Sequence, residues 1–89
     1  MPRIKEIRYS SRFLRSLKAL PLAYKQIIAE REAIFKANCF DPRLKPHKLK
    51  GYPRGRWSFS LTFSHRVLFE FIDKGIIGFI DVGDHSIYR

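Results

Sequence analysis

The chain has 89 residues, a formal net charge of +10 and a hydrophobic fraction of 45%. This length allows one compact domain over residues 1–89 and excludes a separate regulatory module. Eight Phe, four Tyr and one Trp supply enough apolar area for a folded core, which argues against disorder. The charge favours nucleic acid, an acidic protein or an anionic membrane as the partner.

A membrane is the weakest of these partners. No apolar run approaches the length of a membrane span, and the first six residues hold no apolar signal region. The single cysteine, Cys39, excludes an internal disulfide and gives no metal-ligand spacing. We therefore expect a protein of the reducing cytoplasm that uses no metal and no cofactor.

The first half of the chain predicts one strand and a helical hairpin. Residues 4–9 are a short strand candidate, closed by Ser10 and Ser11, either of which can cap a helix. Apolar residues then recur at helical spacing up to residue 20, and Pro21 suits the start of a second, longer helix. Arg31 interrupts the apolar stripe of that helix. The stripe consists of Tyr24, Ile27, Ile28, Ile34 and Phe35.

A basic segment without periodicity follows the helices and extends to Arg56. It holds six cations against one acid, Asp41. The cations are Arg43, Lys45, Lys48, Lys50, Arg54 and Arg56. A loop this long in so small a domain is usually functional.

The last third of the chain predicts three consecutive antiparallel strands. Alternation from Trp57 onward separates residues that face the core from residues on an open face. The predicted core residues are Trp57, Phe59, Leu61, Phe63, Val67, Phe69 and Phe71. The predicted open-face residues are Ser58, Ser60, Thr62, Arg66 and Glu70. His65 is assigned to the first turn, and Asp73-Lys74-Gly75 is a tight-turn signal that returns the third strand, residues 76–82.

The polar tail, residues 83–89, contains groups that can move protons around a phosphate. Cleaving RNA without a metal requires a base for the 2′-OH proton, a cation for the phosphorane charge and an acid for the departing 5′-oxygen. His85 suits either proton role, because the unperturbed pKa of histidine is roughly 6.5; the alternative is a surface histidine beside Asp84. Arg66 suits the phosphate because its rigid fork binds two oxygens, or it is a cross-strand partner of Glu70.

Other candidates carry open alternatives. Tyr88 either hydrogen-bonds the phosphate, stacks on a base, or tucks into a sheet edge. His47, Lys48 and Lys50 supply the base or neutralise flanking phosphates, or they belong to a solvated basic loop.

The order of elements and several motifs together resemble the RelE/ParE superfamily of bacterial toxins from type II toxin–antitoxin pairs. The motifs are Leu49-Lys50-Gly51, Trp57-Ser58-Phe59, Arg66-Val67-Leu68-Phe69-Glu70-Phe71 and Asp81-Val82-Gly83-Asp84-His85-Ser86-Ile87-Tyr88-Arg89. The resemblance covers nearly the whole chain. It implies an α+β fold of order β-α-α-β-β-β, in which a helical hairpin packs on one face of a small antiparallel sheet and the other face is left for RNA.

In the RelE-like branch the family cleaves mRNA, commonly in the ribosomal A site, whereas the ParE branch inhibits DNA gyrase and lacks the cleavage residues. The presence of Arg66, His85 and Tyr88 favours cleavage. The resemblance thus implies a metal-independent endoribonuclease with His85, Arg66, Tyr88 and His47 in catalysis. The basic loop offers no obvious carboxylate as general base and has His47 instead, which leaves the base unassigned.

The resemblance also implies RNA-binding residues and partners. The RNA-binding set is Lys48, Lys50, Arg54, Arg56 and Arg89. The implied partners are a cognate antitoxin from a neighbouring gene, mRNA and the ribosome. Two alternatives remain: a non-enzymatic gyrase-inhibiting toxin of the ParE type, and an RNA-binding or inactive relative.

Overall fold

The structure, a computed structural model, describes residues 3–51 and 55–88. Two helices pack on a five-stranded sheet, which confirms the predicted α+β fold with a helical hairpin. The elements are β1 (Glu6–Tyr9), α1 (Ser11–Ala19), α2 (Leu22–Ala37), β2 (His47–Lys48), β3 (Trp57–Ser60), β4 (Arg66–Asp73) and β5 (Ile76–Gly83), with short 3₁₀ helices at Pro42–Leu44 and His85–Tyr88. We call the second of these 3₁₀ helices the C-terminal turn. No helix in the described ranges is long and apolar enough to cross a membrane.

The sheet is mixed, which corrects the antiparallel prediction. Its strand order is β1-β5-β4-β3-β2. β1 runs parallel to β5, with Glu6 opposite Ile76, because the two helices carry the chain back across the sheet before the meander begins. A short β2 within the basic segment adds the fifth strand, where His47 pairs with Ser58. The other neighbouring pairs are antiparallel.

Local capping signals set the helix boundaries as predicted. The Ser10 hydroxyl accepts a hydrogen bond from the backbone N–H of Phe13 at 3.0 Å, which caps α1. The same hydroxyl donates to the carbonyl of Ile80 at 2.7 Å and so ties the helix start to β5. α1 ends at Ala19, and Pro21 directly precedes α2.

The core lies between the helices and the sheet and is built largely from phenylalanine. Phe35 of α2 stands at its centre, with ring centroids 5.2 Å from Phe59, 4.9 Å from Phe69 and 5.3 Å from Phe79. Phe13 of α1 packs on Phe79 at 5.5 Å. All five rings are almost fully buried. Aromatic pairs of this kind add about 0.5–1.5 kcal/mol each beyond the area that they bury.

The strand alternation predicted a core position for Phe63 and Phe71, and both assignments are wrong. β3 ends at Ser60, and residues 61–65 form a loop, so the period of two no longer applies at Phe63. The Phe63 side chain is fully exposed. Phe71 lies beyond an irregularity in the β4–β5 register and is 42% exposed, packed edge-on against Trp57.

The face opposite the helices is less open than predicted. Ser58 and Leu68 alternate with core residues, yet both are buried. The C-terminal turn contributes Ile87, which is buried outside the main core cluster. A Cβ atom on Gly83 would lie 2.9 Å from the Ile87 side chain. Glycine at position 83 therefore allows the C-terminal turn to approach β5 closely.

Candidate functional site

Two clefts on the cation-rich side of the molecule share Lys45 and Arg66 in their walls. The first, the His85 cleft, has a volume of about 480 Å³. It is lined by Arg31, Arg43, Lys45, Ser60, Leu61, Thr62, Phe63, Arg66 and His85. The second, the His47 cleft, has a volume of about 520 Å³. It is lined by Lys45, Pro46, His47, Leu49, Ser58, Arg66 and Tyr88.

Among the described residues, the linings of both clefts contain cations and histidines but no carboxylate. The structure thus brings together the four residues that the sequence predicts for catalysis, with Arg66 in the wall that the two clefts share. His85 lines one cleft, His47 and Tyr88 line the other, and Arg66 lines both. This composition suits a polyanion, because several cations act on it without competing acids.

Arg66 stands at the start of β4, where the chain re-enters the sheet after the 61–65 loop. It alternates with Val67 of the core, so its side chain projects from the face opposite the helices. Its Nη1 donates to the Ser60 hydroxyl at 2.9 Å, and it forms no ion pair with any described residue. The alternative partner, Glu70, lies instead 3.9 Å from Nε of Arg56.

His85 and Tyr88 are held by the fold of the C-terminal turn, with ring centroids 6.3 Å apart. The Asp84 carboxylate accepts a hydrogen bond from the Ser86 N–H at 2.9 Å, and this bond lowers the pKa of Asp84. The residue before His85 is therefore a carboxylate that a backbone hydrogen bond holds in place.

An ion pair between a buried carboxylate and a partly exposed arginine anchors the segment that leads into this turn. Nε of Arg12 lies 2.8 Å from the carboxylate of Asp81, which is almost fully buried. Nη2 of Arg12 also donates to the carbonyl of Ile87 at 3.4 Å. Arg12 of α1 therefore connects the end of β5 and the C-terminal turn to the helical layer, a role that the sequence did not indicate.

The basic segment supplies the opposite wall of the site. A 3₁₀ helix, Pro42–Leu44, is capped at its C-terminal end by Lys45, whose backbone is left-handed with φ 49°. His47 then pairs with Ser58 of β3, which fixes its place in the edge strand of the sheet. The left-handed backbone conformation is uncommon for a non-glycine residue, and at Lys45 it marks a sharp change of chain direction.

The predicted RNA-binding residues lie mostly outside the clefts. Lys48 and Lys50 are exposed and line neither cleft. Arg56 is engaged with Glu70. Arg54 and Arg89 lie outside the described residues. A role in RNA binding for this set therefore remains a prediction.

Sequence reasoning missed several residues that the fold adds to the site. In the sequence Arg31 only interrupts an apolar stripe, and this interruption is the signal of its role, because Arg31 lines the His85 cleft. Its Nε is buried and has no hydrogen-bond partner among the described residues. Arg43 lines the same cleft and forms two side-chain hydrogen bonds to Asp41, at 3.1 and 2.8 Å. This contact lowers the pKa of Asp41 to about 2.

His65 lies in the turn where the sequence predicts it and lines neither cleft. Its ring packs on Tyr24 of α2 with centroids 4.3 Å apart, and its Nδ1 lies 2.8 Å from the Ser64 hydroxyl. These contacts give it a structural part in the loop. Across residues 3–51 and 55–88, no group of three or more His, Cys, Asp or Glu side chains is arranged to hold a metal ion.

Comparison with solved structures places the fold among toxins of toxin–antitoxin systems, as the sequence resemblance predicts. A YoeB/ParE toxin from Agrobacterium tumefaciens superposes with a TM-score of 0.78 at 20% identity, covering 91% of this chain and 99% of that chain. A chain of the RelB–RelE antitoxin–toxin complex from Methanococcus jannaschii gives a TM-score of 0.72 at 21% identity, covering 92% and 95%. A chain of the E. coli DinJ–YafQ complex gives 0.71 at 20% identity, covering 96% of each chain.

Sequence comparison adds nothing to this result. No protein-family model matches the chain, and no curated protein matches it. The structural similarity extends over more than nine-tenths of each chain, so it shows a shared fold across nearly all of this chain.

Proposed function

We propose that this protein is the toxin of a type II toxin–antitoxin pair and an endoribonuclease that cleaves mRNA. The observation that carries the proposal is the placement of two imidazoles in different clefts, His85 in one and His47 in the other, on either side of a shared Arg66. This arrangement matches the needs of RNA cleavage, in which the attacking and departing oxygens lie on opposite sides of the phosphorus.

The proposed reaction uses groups of this chain only. A base in one cleft takes the proton from the 2′-OH, and the 2′-oxygen forms a bond to the phosphorus. The bond from phosphorus to the 5′-oxygen then breaks, and an acid in the other cleft donates a proton to that oxygen. The products are a 2′,3′-cyclic phosphate and a free 5′-OH. Arg66 holds the phosphoryl oxygens as negative charge develops on them.

His85 and His47 take the two proton roles, with Tyr88 as the alternative partner of His85. Tyr88 lines the same cleft as His47, so that cleft contains both a phenol and an imidazole. Lys45 lies in the shared wall and adds charge next to the bound phosphate. The exposed lysines at positions 48 and 50 contribute to RNA affinity through charge and not to the chemical step.

The partners follow from the same proposal. Two of the similar structures are toxin–antitoxin complexes, DinJ–YafQ and RelB–RelE. We extend this mode of control to the present chain: a cognate antitoxin from a neighbouring gene neutralises it. Acidic segments of that partner would complement the +10 charge. The site of action is the cytoplasm, where mRNA is translated, and the ribosome presents the substrate.

The test combines induced expression with mapping of mRNA 5′ ends and of DNA damage in the same cells. We expect growth arrest with new mRNA ends for the wild type, and loss of both for His85→Ala. Lys18→Ala is the matched control, because Lys18 is an exposed helical cation that lines neither cleft. Intact mRNA together with gyrase-linked DNA breaks would reject cleavage and favour the ParE-like alternative.

A further inference from the structure

The His85 cleft contains features that the proposed cleavage reaction does not use. Its rim carries a fully exposed phenyl ring, Phe63, and its wall carries two arginines, Arg31 and Arg43, in addition to Arg66. We infer that this end of the cleft is a nucleotide subsite, in which an unpaired base stacks on Phe63 while a neighbouring phosphate is held by Arg31 and Arg43. The inference rests on the proposed RNA substrate and specifies how a nucleotide adjoining the scissile bond is held.

Phe63 is presented by an ordered loop. Leu61 is buried and anchors the loop to the core. The N–H groups of Leu61 and Thr62 donate to the carbonyl of His65 at 2.9 and 3.3 Å, and the Thr62 hydroxyl accepts from the N–H of His65 at 3.2 Å. The His65 ring is in turn packed on Tyr24. The loop therefore holds Phe63 outward through its own hydrogen bonds.

A single exposed phenylalanine needs no explanation by itself. The surroundings of Phe63 distinguish it, because the described residues of the cleft that it lines include cations and no carboxylate. An aromatic face beside several cations is the usual composition of a single-stranded nucleic-acid site: the ring stacks on a base, and the cations follow the backbone. The cleft volume of about 480 Å³ lies within the range of small-ligand sites.

Arg31 supplies the second, independent observation. It lies on α2 within an otherwise apolar stripe, its Nε is buried, and it makes no hydrogen bond from that atom and no ion pair within the described part of the chain. Burying a guanidinium N–H without an acceptor or counter-charge is unfavourable. A phosphate in the His85 cleft would provide the missing counter-charge.

Arg43 is already oriented for such a contact. Its Nε and Nη2 are bound to Asp41, which fixes the plane of the guanidinium. An arginine has five N–H donors, so several remain for a phosphate oxygen. The subsite thus combines a stacking platform, one oriented cation and one uncompensated cation, and it is continuous with His85 and Arg66.

The experiment measures binding of a six-nucleotide, 2′-O-methylated RNA by fluorescence anisotropy, because this probe lacks the 2′-OH and cannot be cleaved. Phe63→Ala should weaken binding about 10-fold, as expected for the loss of one base–aromatic stack. Phe63→Trp should retain wild-type affinity, and Phe63→Leu should behave like Phe63→Ala. Leu14→Ala is the control, since Leu14 is an exposed apolar residue of α1 that lies outside both clefts.

Two further measurements locate the base and the phosphate. Removing single bases along the probe should weaken binding by the wild type most at one position. Binding by Phe63→Ala should stay the same when the base at that position is removed. Arg31→Ala and Arg43→Ala should each reduce the dependence of log affinity on log salt by about one, whereas Phe63→Ala should leave it unchanged. Thermal melts verify that each variant is folded.

Equal binding of the probe by the wild type, Phe63→Ala and Phe63→Leu would overturn the subsite. Retained binding by Phe63→Leu would also overturn it, because that result indicates an apolar contact without stacking. Loss of antitoxin binding with unchanged RNA binding would assign Phe63 to a protein partner. If the wild type leaves cellular mRNA intact but binds the probe through Phe63, then the proposed cleavage fails while the subsite stands.

Discussion

Away from the clefts, polar groups on the helix-packed side of the sheet pair with one another, whereas the clefts contain polar atoms that have no partner among the described residues. On the helix side, Asp81 is bound by Arg12, and the Tyr9 hydroxyl donates to the Glu32 carboxylate at 2.9 Å. Burial and the Glu32 contact raise the pKa of Tyr9 to about 12. On the cleft side, Arg66 has no counter-ion within the described part of the chain.

The difference separates stability from function. Burying a polar group costs little free energy when the group is paired, whereas an unpaired buried polar group reduces stability. A site that binds a polyanion needs the opposite, because its cations must remain available to the ligand. We therefore expect substitutions on the helix side to change the free energy of unfolding, and substitutions on the cleft side to change RNA cleavage with little effect on folding.

The largest effect is expected for Phe35→Ala, which removes the ring at the centre of the core. Its cost should be about 3–5 kcal/mol, the usual range for deleting a buried aromatic side chain. Urea denaturation measures it, with Phe63→Ala as the matched control at a fully exposed ring. Phe63→Ala should change stability by no more than about 0.5 kcal/mol. Similar losses for the two variants would show that the comparison between buried and exposed rings is wrong.

Arg66→Ala should reverse this pattern. The rate of RNA cleavage should fall about 10²–10³-fold, corresponding to about 2.7–4 kcal/mol of lost transition-state stabilisation. The free energy of unfolding should change by less than about 1 kcal/mol, because within the described residues Arg66 loses a hydrogen bond to Ser60 and no ion pair. Single-turnover cleavage and urea denaturation of the same preparation check both numbers. A folded Arg66→Ala protein with the wild-type rate would remove Arg66 from the mechanism.

Asp81→Asn tests the anchor between the helices and the C-terminal turn. Asp81 is buried and faces the partly exposed Arg12, so the loss of its charge should cost about 1–3 kcal/mol. Cleavage should also decline, because Arg12 binds the carbonyl of Ile87 in the turn that carries His85. Asp41→Asn is the control. Asp41 pairs with the exposed Arg43, so the loss of its charge should leave the melting temperature almost unchanged.

The sequence predicted those parts of the fold that depend on local signals. Ser10 and Pro21 mark helix starts by capping and backbone geometry, and both positions are confirmed. The alternation around Phe59 and Val67 identifies the core face correctly. The alternation misled at Phe63, because the end of β3 at Ser60 is set by the loop and its hydrogen bonds and not by hydrophobic period.

The site was predictable only in part, for a related reason. The chemistry of their side chains points to His85, Arg66, His47 and Tyr88, and the fold gathers these residues around two clefts. Arg31 joins the site because of the way α2 packs against the sheet. A polar residue in an apolar stripe does not by itself predict this tertiary arrangement. The parallel pairing of β1 with β5 likewise joins segments about 70 residues apart, which local patterns do not encode.

The smallest predicted effect is the change in folding stability when a serine is replaced by alanine. This replacement should stabilise the protein at one serine, Ser58, and destabilise it at another, Ser10. The Ser58 hydroxyl is buried beside the His47 cleft and has no hydrogen-bond partner among the described residues. Ser58→Ala removes an unsatisfied polar group and should stabilise the protein by about 0.5–1 kcal/mol. The Ser10 hydroxyl both caps α1 and donates to Ile80, so Ser10→Ala should destabilise it by about 1 kcal/mol.

Urea denaturation of the two serine variants at one pH provides the measurement, and cleavage assays complete it. If the Ser58 hydroxyl is kept for the RNA site, then Ser58→Ala should be more stable yet slower in cleavage, while Ser10→Ala should keep its rate once folded. Such a gain in stability with a loss in activity is expected where a polar group is retained for a ligand at the expense of the fold. Destabilisation of Ser58→Ala by as much as Ser10→Ala would place Ser58 with the paired, structural groups of the helix side.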